Sequence, residues 1–134
     1  VKVLVDTSVW SLAFRRRHGL QPQALELQRL VQEGLVEIIG PIRQELLSGF
    51  SEPKQFEDLR SHMASFEDLP LLKAHFETAA EFSNRCRKHG VQGSSTDFLI
   101  CAVGSIERCS IFTTDQDFHH FAKHLPIHLH KVRS

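Results

Sequence analysis

The stretch Val1-Lys2-Val3-Leu4-Val5-Asp6-Thr7-Ser8-Val9-Trp10 constrains the fold of this chain most. Its almost unbroken aliphatic run reads as a strand buried on both faces, and such strands belong to parallel sheets covered by helices. The run then meets Asp-Thr-Ser, whose short polar side chains make turns and helix caps. A carboxylate, Asp6, therefore stands where a central strand ends. Ligands of open α/β sheets bind at the carboxyl ends of strands. An Asp at that place also caps a following helix, and the stretch alone does not choose between the two roles.

The remaining segments agree with an α/β chain. Val9, Leu12 and Phe14 fit a short helix ended by Gly19, and Trp10 reads as core packing. Pro22 to Glu33 is amphipathic, with Leu25, Leu27, Leu30 and Val31 as its apolar stripe and Gly34 as its stop. Leu35–Ile39 reads as the next strand, and Pro41–Gly49 as a short helix carrying Ile42 and Leu46 inward. Ser51-Glu52-Pro53 starts another helix, with Phe56, Leu59, Arg60 and Met63 at helical period. Phe66–Pro70 is a loop or short strand. The longest helical segment is Leu72–His89, with Leu72, Phe76, Ala79, Ala80, Ser83 and Cys86 expected inside and Gly90 as its end.

Ser94-Ser95-Thr96-Asp97 opens a helix apolar nearly all round, which marks it as central. Ser110–Thr114 is a further strand, running directly into Asp115-Gln116-Asp117. Phe118, Phe121 and Leu125 follow at helical spacing, and Ile127–His130 alternates as an edge strand does. The expected order is β-α-β-α-α-α-α-β-α-β. It predicts a central parallel sheet flanked by helices, with a helical arm in the middle of the chain over residues 41–90. A chain of 134 residues is long enough for one domain, 1–134, and too short for two.

Composition excludes several classes. Sixteen basic residues balance sixteen acidic ones, so a polyanion held by overall charge is excluded, although a local basic patch is not. The one dense basic cluster is Arg15-Arg16-Arg17. It reads either as a solvated loop or as an RNA-binding patch near the Asp6 end of the sheet, where phosphates would approach. The three cysteines, without a CxxC, read as reduced core thiols. No apolar run reaches the ~18 residues of a membrane span and no signal-peptide pattern is present, so a cytoplasmic location is expected. His120 and His124 stand at i, i+4, but a zinc site there lacks a fixed ligand set. The late histidines read as surface groups.

The acidic residues carry the chemistry. Asp6 and Asp115 each follow an apolar strand immediately, which in a parallel sheet puts both on one edge. Asp97 opens a helix that runs back over the sheet from that edge, and Glu45 lies on the helix after the second strand. Two carboxylates ~4 Å apart repel by about 4 kcal/mol at an effective dielectric of 20, so four of them together call for a cation. Oxygen-only ligands suit Mg²⁺ or Mn²⁺, and the reaction class this implies is metal-assisted phosphodiester hydrolysis. No P-loop, GxGxxG or Ser-His-Asp order supports dinucleotide or acyl chemistry. A haloacid-type phosphatase needs a second Asp where Ser8 stands.

The strand into Asp-Thr-Ser-x-Trp, the Thr96-Asp97 helix start and the Thr-Thr-Asp-Gln-Asp-Phe segment together resemble the PIN-domain ribonucleases. The resemblance covers the whole chain and is nearest to the VapC-like toxins of toxin–antitoxin pairs. It implies that Asp6 and Asp97 are direct metal ligands and that Asp115 completes the site directly or through water. Glu45 would orient the attacking water or bind a second metal, with Asp117 auxiliary. Thr7, Ser8 and Thr114 would be hydrogen-bonding supports. It further implies an RNA substrate, a homodimer, and an antitoxin whose basic side chain replaces the cation. The rival expectation is a non-catalytic module that keeps the acidic pocket and binds RNA or a basic partner peptide.

Overall fold

A computed structural model describes residues 1–15 and 21–133. In chain order the elements are β1 (Val3–Val5), α1 (Thr7–Phe14), α2 (Pro22–Gln32), β2 (Val36–Glu37), α3 (Gly40–Ser48), α4 (Pro53–Met63), α5 (Lys73–Lys88), α6 (Ser95–Glu107), β3 (Ser110–Phe112) and α7 (Asp117–Phe121). The expected α/β class holds, with two helices between β1 and β2. Gly19, Arg16 and Arg17 lie outside the described residues.

Aliphatic Val3-Leu4-Val5 forms the central strand, and every residue of it is buried. All three strands are parallel, in the order β2-β1-β3. Val5 pairs with Phe112, so the residues that follow β1 and β3 emerge side by side. The expected edge strand at Ile127–His130 shrinks to one parallel bridge between Ile111 and Leu129. The tail leaves the sheet there because His130 and Arg133 reach back to α2. On the other edge Asp68 bridges to Ile38.

The α6 helix is buried continuously from Phe98 to Gly104, as its apolar sequence requires. The helical middle of the chain packs onto the same core through Leu59, Met63, Phe82 and Cys86. Trp10 is buried and donates its indole N–H to the Val5 carbonyl at 3.2 Å. All three cysteines are free and buried, and burial pushes the Cys109 thiol up to about 11. Gly34 and Gly90 stop α2 and α5 in the left-handed region, at φ +70° and +74°. Among the described residues no helix is long and apolar enough to cross a membrane.

Two helix faces differ from the apolar pattern. On α5 the inner residues are His75, Ala79, Phe82 and Cys86, while Leu72 and Phe76 are 62% and 52% exposed. His75 is buried because both ring nitrogens are satisfied: Nδ1 accepts the Leu72 N–H at 2.9 Å, and Nε2 meets Glu107 Oε2 at 2.7 Å. On α2 the half-exposed residues are Leu25 and Val31, and Glu26 is buried completely. Its carboxylate binds His130 Nε2 at 2.6 Å and Arg133 Nε at 3.0 Å, and Arg133 also reaches Glu33 at 2.8 Å.

Burial pushes the Glu26 carboxyl up, but hydrogen bonds and charge from His130 and Arg133 outweigh it and bring it below the ordinary range. That contribution to stability is present at neutral pH and is lost on acidification through the lowered pKa. A Glu26→Ala variant is expected to lose roughly 2 kcal/mol at pH 7, less than the ~3–5 of a fully enclosed pair because its partners are partly solvated. Thermal unfolding checks this, and the gap to wild type should narrow below about pH 4. An unchanged melting temperature would show that the Glu26 contacts with His130 and Arg133 carry no stability.

Candidate active site

Asp6 occupies the N-cap position of α1, but its side chain makes no cap bond. The cap carbonyl takes the Val9 N–H at 3.1 Å, and the carboxylate turns to a different set of partners. Ser8 Oγ and Thr113 Oγ1 each donate to Asp6 Oδ2 at 2.8 Å. Each hydroxyl is itself oriented by a backbone amide: the Thr114 N–H donates to Ser8 Oγ and the Asp115 N–H to Thr113 Oγ1, both at 3.0 Å. Each amide N–H takes a lone pair of its hydroxyl, which leaves the hydroxyl protons for the carboxylate, and the two hydroxyls stand 3.3 Å apart. Asp6 Oδ1 takes no such bond among the described residues. A buried carboxylate has thus been positioned for something other than capping.

Asp97 sits in the first turn of α6, where it forms a reciprocal capping box. The Ser94 N–H donates to Asp97 Oδ2 at 3.1 Å, and the Asp97 N–H to Ser94 Oγ at 3.0 Å. Burial raises its carboxyl above the ordinary value. The Ser94 hydrogen bonds oppose that rise, and the charges of Asp115 and Asp6 add to it. Asp6 and Asp115 thus lie near enough for their charges to bear on Asp97. Asp115 follows β3 and accepts the Asp117 N–H on Oδ1 at 2.9 Å, which also starts α7. Asp117 itself is exposed. Glu45, on α3, accepts from Thr7 Oγ1 at 2.8 Å and is thereby tied to the residue after Asp6.

Hydrogen bonds of Thr7 and Thr113 connect the Asp6, Glu45 and Asp115 segments, while Asp97 on α6 bonds only its own cap residue. Thr7 and Ser8 supply hydroxyls as expected, but Thr113 rather than Thr114 supplies the third. Thr114 contributes only its backbone amide to this network. The β1–β3 register pairs Val5 with Phe112, the residues just before Asp6 and Thr113. Arg15 is committed elsewhere, donating to the Gly49 carbonyl and lying 4.7 Å over the Phe50 ring. His124 does not join a ligand set but stacks on His89 at 4.2 Å.

Among the described residues no three His, Cys, Asp or Glu side chains stand close enough to enclose an ion alone. Mg²⁺ keeps several waters and takes only one or two carboxylates directly. The donor set is all oxygen, and burial, with a smaller contribution from the Asp115 and Asp6 charges, raises the Asp97 carboxyl. The residues fit a hard divalent cation.

A second feature adjoins α1. An open groove of about 820 Å³ runs between α1, α2 and α4, and Trp10, Phe14, Leu27, Val31, Phe50 and Leu59 line it.

No curated protein matches this sequence. Among solved structures, the chain is similar to FitAcB from Neisseria gonorrhoeae, with a TM-score of 0.77 and 19% identity over 96% of each chain. It is similar to VapBC2 from Rickettsia felis, bound to a DNA fragment from its promoter, with a TM-score of 0.77 and 16% identity over 97% of this chain and 98% of that one. A toxin–antitoxin complex from Klebsiella pneumoniae gives a TM-score of 0.65 at 17% identity over 87% and 90% of the two chains. At these identities the likeness is one of fold. The parallel sheet with acidic residues at its edge is accompanied by a PIN domain family model matching residues 3–124, and the chain belongs to the PIN domain family.

Proposed function

We propose that this PIN domain is a Mg²⁺- or Mn²⁺-dependent endoribonuclease and the toxin of a toxin–antitoxin pair. The observation that carries the reading is the hydrogen-bonded junction of the two strand ends, where Thr113 donates to Asp6 and accepts the Asp115 N–H, beside the Thr7–Glu45 bond. Asp6 and Asp97 would hold the ion directly, with Asp115 beside them or acting through water. Bound there, a divalent cation neutralises charge on a phosphate and acidifies a water. Ser8 and Thr113 hold the Asp6 carboxylate in place, so that it need not reorganise when substrate arrives. Glu45, oriented by Thr7, would position the attacking water, and Asp117 would be auxiliary.

The partner reading rests on the likeness to toxin–antitoxin complexes and on the groove. Its volume lies in the range of sites that take a whole ligand, and its apolar lining suits the apolar face of an antitoxin helix. Because α1 runs from Asp6 to this groove, a basic residue beyond such a helix could replace the cation at the acidic edge. The exposed Leu72 and Phe76 would suit the homodimer that the resemblance implies. RNA as substrate implies a cytoplasmic location.

The test is cleavage of structured and single-stranded RNAs with Mg²⁺, Mn²⁺ or EDTA. Cleavage is expected with either metal and is expected to vanish in EDTA. Cleavage that persists in EDTA rejects the metal mechanism. Tight RNA or basic-peptide binding without cleavage under any metal would favour the non-catalytic module instead.

A further inference from the structure

We propose that the small cleft between the end of α5 and the loop before α6 binds a phosphate of the RNA strand next to the cleaved bond, with Arg87 as its cation. The proposal rests on the nuclease reading above and adds to it a defined strand-positioning contact.

The cleft has a volume of about 170 Å³ and is lined by Ser83, Arg87, Val91, Gln92, Gly93 and Phe98. That is below the roughly 300–1,000 Å³ of sites enclosing a whole small ligand, so it takes one group of a larger molecule. Its chemistry selects an anion. The lining offers a guanidinium, a hydroxyl and a side-chain amide, and contains no carboxylate. Among the described residues the Gln92 and Gly93 backbone N–H groups make no hydrogen bond, so two further donors are free.

Arg87 differs from the four arginines that are paired with carboxylates. Arg29, Arg43, Arg60 and Arg133 are each paired with a carboxylate. Among the described residues Arg87 bonds only Asn84 Oδ1, at 3.1 Å, and no carboxylate. It belongs to the basic last turn of α5, with Arg85 and Lys88.

Position ties the cleft to the acidic edge. Phe98 directly follows Asp97, and Gly93 directly precedes Ser94, the residue that caps Asp97. A Cβ on Gly93 would stand 2.6 Å from Phe121 Cζ, so the loop is packed tightly on α7, which begins beside Asp115. The cleft is thus held against two of the acidic segments. An edge of carboxylates repels a polyanion, and a chain of zero net charge has no overall field to offset that repulsion. A cation beside the acidic residues supplies the missing local attraction, and phosphate contacts of this kind set the register of a strand.

The test compares wild type, Arg87→Ala and Arg87→Lys, with Arg60→Ala as a surface control, on a single-stranded oligoribonucleotide across a salt series. Arg87→Ala is expected to raise KM about five- to twentyfold with kcat nearly unchanged, and to reduce the slope of log KM against log salt by about one. Arg87→Lys is expected to recover most of the loss, and Arg60→Ala to change neither. An Arg87→Ala enzyme with wild-type KM and salt slope overturns the cleft and leaves the nuclease reading standing. If the wild type cleaves nothing with any metal, the nuclease reading fails separately. Fluorescence anisotropy with a 2′-O-methyl oligoribonucleotide then decides the cleft: weaker binding by Arg87→Ala supports it. Equal binding overturns it and leaves the cleft to an acidic protein partner.

Discussion

An Asp6→Asn variant is expected to fold like the wild type and to lose about 10³-fold in metal-dependent RNA cleavage, the loss that roughly 4 kcal/mol of transition-state stabilisation represents. Asparagine keeps the shape of the side chain. Its carbonyl oxygen can accept from both Ser8 Oγ and Thr113 Oγ1, the two donors that hold Asp6 Oδ2 at 2.8 Å. Its amide nitrogen then occupies the place of Oδ1, where it presents two protons instead of a lone pair and removes one negative charge. The local network survives, but the cation site does not. Single-turnover cleavage with Mn²⁺ measures the loss, and thermal unfolding measures the retained fold. Activity within tenfold of wild type would remove Asp6 from the reaction and leave it a purely structural carboxylate.

The second large effect separates activity from stability. An Asp97→Asn variant is expected to lose cleavage to a similar extent while melting about 2–4 °C higher than wild type in EDTA at pH 7. Burial holds the Asp97 carboxyl above its ordinary pKa, with the Asp115 and Asp6 charges adding to the shift and the Ser94 hydrogen bonds opposing it. A folded-state pKa above the unfolded one means that folding favours the protonated acid. Stability from this group is therefore fully present below the unfolded pKa and is lost as pH rises through the folded pKa. At neutral pH the wild type carries an unfavourable charge that asparagine lacks. Asparagine still accepts the Ser94 N–H, so the capping box persists. Because Asp97 is only half-buried, solvent screening limits the gain to about 1 kcal/mol or less. The advantage should disappear near pH 3, where both proteins are uncharged at this position. Mn²⁺ should reverse the order by stabilising only the wild type. Equal melting temperatures in EDTA at pH 7 would contradict charge crowding at the sheet edge.

These two effects depend on positions that differ in how plainly the chain announces them. Asp6 and Asp115 follow short aliphatic strands, and Asp97 follows a serine cap ahead of an apolar helix. Each is legible because strand runs and capping boxes are local patterns. The hydroxyl that completes the Asp6 network was less legible. Thr113 and Thr114 are chemically identical, and the sequence reading favoured Thr114. Only the pairing of Val5 with Phe112 puts Thr113 beside Asp6. Arg87 had no sequence signal beyond a basic helix end, whereas Arg15-Arg16-Arg17 did. Arg15 proved to be tied to Gly49 and Phe50.

Buried polar residues were the other blind spot. The sequence reading placed neither Glu26 nor His75 in the core, yet both are buried. Their partners, Arg133 and Glu107, lie 107 and 32 residues away in sequence. A buried charge or imidazole is tolerated only when such partners satisfy it.

The sequence by itself determined the element types, the parallel class, and the three aspartates that end or begin those elements, because helix and strand patterning acts over a few residues. The tertiary structure alone decided which hydroxyl supports Asp6, which face of α5 turns inward and which arginines pair with carboxylates. Those outcomes depend on strand register and on contacts between distant segments, and no local pattern carries them.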